Sequence, residues 1–165
     1  MLEVLENSAL AVWVRESPSI FAYTLVLSLH AVGLAMVVGT NTLINLRLLG
    51  FGRGIPLAAL PSFYVTIWFG FVINAVSGLM LFAAEAKSMA AMPAFWLKLV
   101  FVALGMVVAV TIKKRCLEDE VALSSGVVSP LARKLAVVSL VCWSVALIVG
   151  RLTGYPELVT AWFGL

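Results

Sequence analysis

Ser28-Leu29-His30-Ala31-Val32-Gly33-Leu34, continuing through Gly39-Thr40-Asn41 to Asn45 and Arg47, lies in a segment with no formally charged residue from Ser17 to Leu46. That run exceeds the roughly 20 apolar residues that carry a helix across a bilayer. The spacing therefore predicts a membrane span over about 20–46 that tilts or projects. The span carries His30, the chain's one histidine. An ionisable group in a membrane span is costly and is a functional candidate by default.

The rest of the chain agrees with this reading. Of its 165 residues 63% are hydrophobic and 12% charged, against about 45–50% and roughly 25% in soluble domains. Mean hydropathy is +1.12. A soluble core of this size cannot hide so much apolar surface, because a short chain keeps a large surface. Further spans are predicted over about 61–84, 94–112 and 131–152. Before them, Leu2, Leu5, Ala9, Val12 and Trp13 recur at helical spacing, which predicts an interfacial amphipathic helix over about 2–15. The expected fold is all-α: a single integral membrane four-helix bundle with a short N-terminal amphipathic helix.

Charge sets the orientation and removes several function classes. The net charge of +3 comes from bases beside apolar spans, so it reads as a topology signal and not as a nucleic-acid surface. Arg47, Arg53, Lys113, Lys114, Arg115, Arg133 and Lys134 flank two connections, whereas Arg15, Lys87, Lys98 and Arg151 lie on the other side. The excess puts those two connections in the cytoplasm and both termini outside. No secretory signal peptide is expected, since Glu3, Glu6, Arg15 and Glu16 interrupt the N-terminus. Two distant cysteines, Cys116 and Cys142, form neither a disulfide framework nor a zinc site. Paired carboxylates, a Ser/His/Asp arrangement and a glycine-rich phosphate loop are all missing from the sequence. The tail from Tyr155 through Trp162-Phe163 reads as an interfacial anchor.

Four residues are candidates for cofactor binding. His30 lies about 15 Å along its helix from the outer end, and neutral imidazole is a standard axial donor to haem iron. Gly33, one turn away, leaves room for a flat ligand. Lys98, early in the third span, either snorkels to the headgroups or neutralises an acidic group such as a haem propionate. Arg47, at the inner end of the first span, snorkels or holds an anionic headgroup. The competing reading of His30 is a buried histidine bonded to a carbonyl or hydroxyl on a facing helix. Met80, Met89 and Met92 form a loose thioether group on the outer side, and soft sulfur selects Cu(I). Asn41 and Asn45 are placed to bond across to Asn74 or Ser77. Gly70, Asn74 and Gly78 in the second span, and Cys142, Ala146 and Gly150 in the fourth, form stripes that favour close helix contact within or between chains.

Leu29-His30, Arg47-Leu48 and Phe95-Trp96-Leu97-Lys98-Leu99 together resemble the HemJ-type membrane protoporphyrinogen oxidases and, more loosely, the CopD-type copper-resistance membrane proteins. The layout is also similar to that of many small bacterial four-helix membrane proteins. The first resemblance implies a haem b in a helical bundle, with the histidine, lysine and inner arginine roles falling on His30, Lys98 and Arg47. That family has an aromatic-rich stretch after its histidine and further histidines beyond the arginine, where this chain has Ala35-Met36-Val37 and Leu48-Leu49-Gly50. Haem binding is therefore carried over, and porphyrinogen oxidation is not. With one histidine the iron is five-coordinate, or takes Met80, or takes His30 of a second copy.

The expectation is a multi-pass protein of the bacterial inner membrane with both termini periplasmic. It binds haem b for electron transfer or haem redox chemistry, in the lipid bilayer, as a homo-oligomer or a subunit of a membrane complex. Copper handling by His30 with Met80, Met89 and Met92 is one alternative, and a non-catalytic scaffold or accessory subunit is another.

Overall fold

Serine and proline punctuate the chain where its helices begin. In a computed structural model, which describes residues 2–118 and 126–155, α1 (Leu2–Glu6) gives way to α2 (Ala9–Glu16). The Ser8 hydroxyl accepts from the Ala11 N–H and starts a new helix, so the expected single amphipathic helix is two short ones. Ser17-Pro18-Ser19 stops α2, and α3 (Tyr23–Leu49) follows as the first long helix. Gly50 closes it at φ 104°, a left-handed conformation that glycine adopts without strain, and donates its N–H to the last-turn carbonyls.

A 3₁₀ segment, Leu57–Phe63, leads into α4 (Tyr64–Ala84). The stretch between the second and third expected spans holds a further short helix, α5 (Ala86–Ala91). α6 (Pro93–Cys116) and α7 (Pro130–Leu152) both open on a proline, whose missing N–H costs nothing in a first turn. Ser129 caps α7 by accepting from Ala132. The acidic residues 119–120, Ser124-Ser125 and the expected anchor beyond Tyr155 lie outside the described residues.

Among the described residues four segments are long and apolar enough to cross a membrane: α3, the 3₁₀ segment with α4, α6 and α7. Their outward faces are apolar; Val65, Leu79, Val107 and Ile148 are all exposed. Such a surface suits lipid and not water. The protein is an all-α, multi-pass membrane protein.

The four long helices form two pairs, α3 with α4 and α6 with α7, joined where α3 packs on α7. Small residues set the close approaches. A Cβ on Gly33 would lie 2.7 Å from the Asn74 backbone nitrogen, and one on Gly105 would lie 2.9 Å from the Trp143 ring. Ile44, Leu48, Ile67, Ile112 and Trp143 fill the core. Asn45 Nδ2 donates to Ser139 Oγ at 2.8 Å across the α3–α7 contact. Asn41 turns back to its own helix and donates to the Val37 carbonyl. Neither asparagine reaches Asn74 or Ser77 as expected, because Asn45 faces Ser139 on α7 and Asn41 is satisfied within α3.

The short helices cover one end. Val14 packs with Val26, Leu81 and Ala84, and Arg15 Nη1 donates to the Ala84 carbonyl at 3.0 Å. That bond occupies one of the carbonyls left open where α4 ends. Glu3 and Lys87 tie α1 to α5 at 2.7 Å.

Candidate functional site

The α4 and α6 backbones hardly approach each other, although the helices are close in sequence. Side chains bridge the gap near its two ends. Tyr64 donates its hydroxyl hydrogen to the Ala109 carbonyl at 2.8 Å, and at the other end Phe82 stacks on Phe95 with centroids 5.1 Å apart. Between the pairs, at the end covered by the short helices, lies a cavity of about 680 Å³. Most of its lining is apolar, with a few polar groups converging on it, the usual make-up of a small-molecule site.

His30 enters this cavity from α3, Lys98 from α6, and Arg151 from the end of α7. His30 Nδ1 lies 3.0 Å from the Asn74 carbonyl oxygen and 3.3 Å from Ser77 Oγ. A carbonyl only accepts, so that nitrogen carries the hydrogen. Asn74 answers by donating its side-chain N–H to the His30 carbonyl at 2.8 Å. The ring is thus pinned to α4 by a reciprocal pair, as the structural reading of a buried histidine expects. In the neutral ring the remaining nitrogen, Nε2, keeps its lone pair, and it has no hydrogen-bond partner among the described residues. A ring nitrogen fixed by a carbonyl while the other stays open is the arrangement found in metal-bound histidines.

Lys98 lies about 7 Å along α6 from its start and His30 about 10 Å along α3, so the two sit at neighbouring depths on the same side. The lysine stem runs over Gly150, where an added Cβ would lie 3.3 Å from Lys98 Cδ. Its ammonium has no hydrogen-bond or ion-pair partner among the described residues. Arg151, at the mouth, rests on the Tyr155 ring at 4.8 Å. Among the described residues Glu85 is the single carboxylate facing the cavity. The polar end of the site is therefore cationic and suits an anionic group.

The other sequence candidates lie elsewhere. Gly33 does not make room beside the imidazole; it is buried against Gly70 and Asn74, where it lets α3 and α4 touch. Gly78, which sequence reasoning placed in a helix-contact stripe, is the residue beside the ring, and a Cβ there would lie 3.0 Å from His30 Cε1. Arg47 is at the opposite end of α3, its Nε donating to the Ile55 carbonyl at 2.6 Å, so it clips the first connection and is remote from the cavity. Met80 packs with Val14 and Leu81 under the N-terminal helices, because it lies on another face of α4 from Asn74 and Gly78. Of the three grouped methionines only Met89 lines the cavity. Among the described residues no group of three or more His, Cys, Asp or Glu side chains could hold a metal ion. Both small-residue stripes are used inside the chain: Gly70 meets α3, Gly78 meets His30, and Gly150 meets Lys98.

Asn74, Ser77 and Arg151 belong to this site and were missed as such. The signal for the first two was spacing: Asn74 lies one turn from both Gly70 and Gly78, and Ser77 lies two turns from Gly70, which puts them on the face that meets α3. Comparison of the chain with protein-family models, with characterised proteins and with solved structures finds no match.

Proposed function

We propose that the chain is a haem b-binding membrane protein serving electron transfer or haem redox chemistry, with His30 Nε2 as axial ligand and Lys98 as partner of a propionate. One observation carries this reading: an imidazole whose Nδ1–H is fixed on the Asn74 carbonyl shares an apolar cavity of about 680 Å³ with the unpaired Lys98. The donor set suits haem better than a bare ion, since a porphyrin brings four nitrogen ligands and needs one or two from the protein. Bound haem would supply one-electron redox chemistry at its iron.

The chain's own residues would do the rest. Asn74 and Ser77 hold the imidazole tautomer, Gly78 leaves space beside the ring, and Phe82, Phe95 and Trp96 keep water from the apolar end. Lys98 and Arg151 offer positive charge toward the mouth. Met89, in place of Met80, is the thioether that would be available to the bound group. Copper handling is the weaker reading, because His30 and Met89 alone do not make a soft-ligand site. Placement in a bacterial inner membrane with periplasmic termini, and assembly with a second copy, complete the proposal.

The test is an absorption spectrum of protein produced with ample haem. A Soret band is expected that disappears in His30→Ala, while that variant elutes as the wild type does. Lys98→Gln keeps the band but raises the haem Kd about tenfold, the worth of one charge-assisted contact. A colourless wild type sinks the haem reading; stoichiometric copper by metal analysis would install the other.

A further inference from the structure

A second concavity lies on the opposite end of the molecule, on the outer face of α4. It measures about 460 Å³. Val65, Trp68, Phe69 and Val72 line it along α4, and its end is formed by Tyr64 and by Lys113, which reaches across from α6. The Tyr64 ring is held by its bond to the Ala109 carbonyl, and Lys113 Nζ sits 5.6 Å from the ring centroid. Val65, Phe69 and Val72 are 75%, 61% and 57% exposed, so nothing among the described residues covers this wall.

Two features say what does. The first is length. From Tyr64 to Val72 is about 12 Å of α-helix, and the 3₁₀ turn from Pro61 adds about 6 Å. The hydrocarbon of one leaflet is about 15 Å deep, half of a roughly 30 Å core. The groove therefore runs from the headgroup level to the midplane. The second is charge. Lys113 stands at the mouth, Lys114 and Arg115 follow it in the last turn of α6, and none has an ion-pair partner among the described residues. A two-fold contact with another copy through this face would set these cations against their equivalents, whereas a phosphate would neutralise them.

We propose that the groove binds an anionic phospholipid, with one acyl chain along Val65, Phe69 and Val72 and the phosphate at Lys113 beside the Tyr64 ring. Basic pockets at helix ends capture acidic headgroups in this way, and aromatic residues settle at the same depth. The site is independent of His30 and of any cofactor.

The experiment is native mass spectrometry of the full-length protein released from nanodiscs made of equal parts phosphatidylglycerol and phosphatidylcholine. Wild type is expected to retain phosphatidylglycerol and shed phosphatidylcholine. Lys113→Gln lowers the retained fraction about fivefold, the effect of one basic residue at an anionic surface. Val65→Trp fills the groove, changes no charge and lowers retention as well. Lys114→Gln combined with Arg115→Gln loses less than Lys113→Gln, although it removes two charges. The proposal is overturned if both lipids are retained equally, if Val65→Trp behaves as wild type, or if the double variant loses more than Lys113→Gln, since retention then follows charge count alone.

Discussion

Replacing Gly33 by alanine should separate α3 from α4, and a matched substitution two turns away should not. A methyl group at Gly33 would sit 2.7 Å from the Asn74 nitrogen and 2.8 Å from the Gly70 carbonyl oxygen. Both are backbone atoms and cannot rotate aside. Comfortable contact begins near about 3.5 Å, so the helices must part by about 0.8 Å. The same movement pulls the Asn74 side-chain N–H away from the His30 carbonyl, now 2.8 Å distant, to beyond the roughly 3.2 Å at which such bonds hold. Overpacking of this kind costs about 1–3 kcal/mol, and the helix propensity of alanine returns up to about 1 kcal/mol. Loss of the Asn74–His30 bond adds about 0.6 kcal/mol, so the expected net destabilisation is about 0.6–2.6 kcal/mol. Gly39 lies on the same helix with nothing within 4 Å of an added Cβ, so Gly39→Ala collects only the propensity gain and is neutral or slightly stabilising. Reversible unfolding from mixed micelles by SDS, followed by tryptophan fluorescence, reads both. Equal shifts for the two variants, or a Gly33→Ala protein within about 0.5 kcal/mol of wild type, would refute the tight α3–α4 contact.

Two further outcomes follow from polar contacts. Ser139→Ala strips Asn45 Nδ2 of its partner and should cost about 0.6 kcal/mol, an average membrane interhelical bond; adding Asn45→Leu should restore much of it, because Asn45 Oδ1 is already buried without a partner, and a double-mutant cycle with no coupling would contradict this. At the covered end, Lys87 holds the Glu3 carboxyl below its ordinary range, and Glu3 holds the Lys87 ammonium above its own. The tether between α1 and α5 is therefore complete between the two unperturbed values, about 4.3 and 10.4. It is lost only as pH falls through the lowered Glu3 value or rises through the raised Lys87 value. Spin labels at Val4 and Ser88 should keep one distance from about pH 5 to 9 and separate only on acidification below the ordinary carboxyl value of about 4.3; separation already at about pH 6 would show that another contact holds α1.

The spans were legible because bilayer crossing imposes a length and a polarity that few other demands imitate. His30 and Lys98 were brought to one end of the bundle by counting residues from the span ends, since depth in a membrane follows from sequence position. Azimuth did not follow so readily. Gly33 shares a face with His30 on α3, but the face is broad, and the glycine met the α4 backbone while the space beside the ring came from Gly78 on the partner helix. Helix periodicity says which residues of one helix look the same way; it does not say which residues of another look back. Met80 failed for the same reason: it is two residues from Gly78 and so at nearly the same depth, yet it faces the other side of α4, under the N-terminal helices. Arg47 does lie at the far end of its span from His30, but its partner, the Ile55 carbonyl, belongs to a connection whose path no periodicity describes.

The joining of the two helix pairs through α3 and α7 gives the cavity an unusual mechanical character. Its walls on α4 and α6 belong to different pairs, and each stands about one interhelical spacing, 8–10 Å, from the seam. A relative rotation of the pairs by about 10° around that seam would leave the α3–α7 packing in register and move each wall against the other by about 1.5 Å. The width of the site is thus governed by a single angle, and the Phe82–Phe95 stack and the Tyr64 bond are the two struts that fix it.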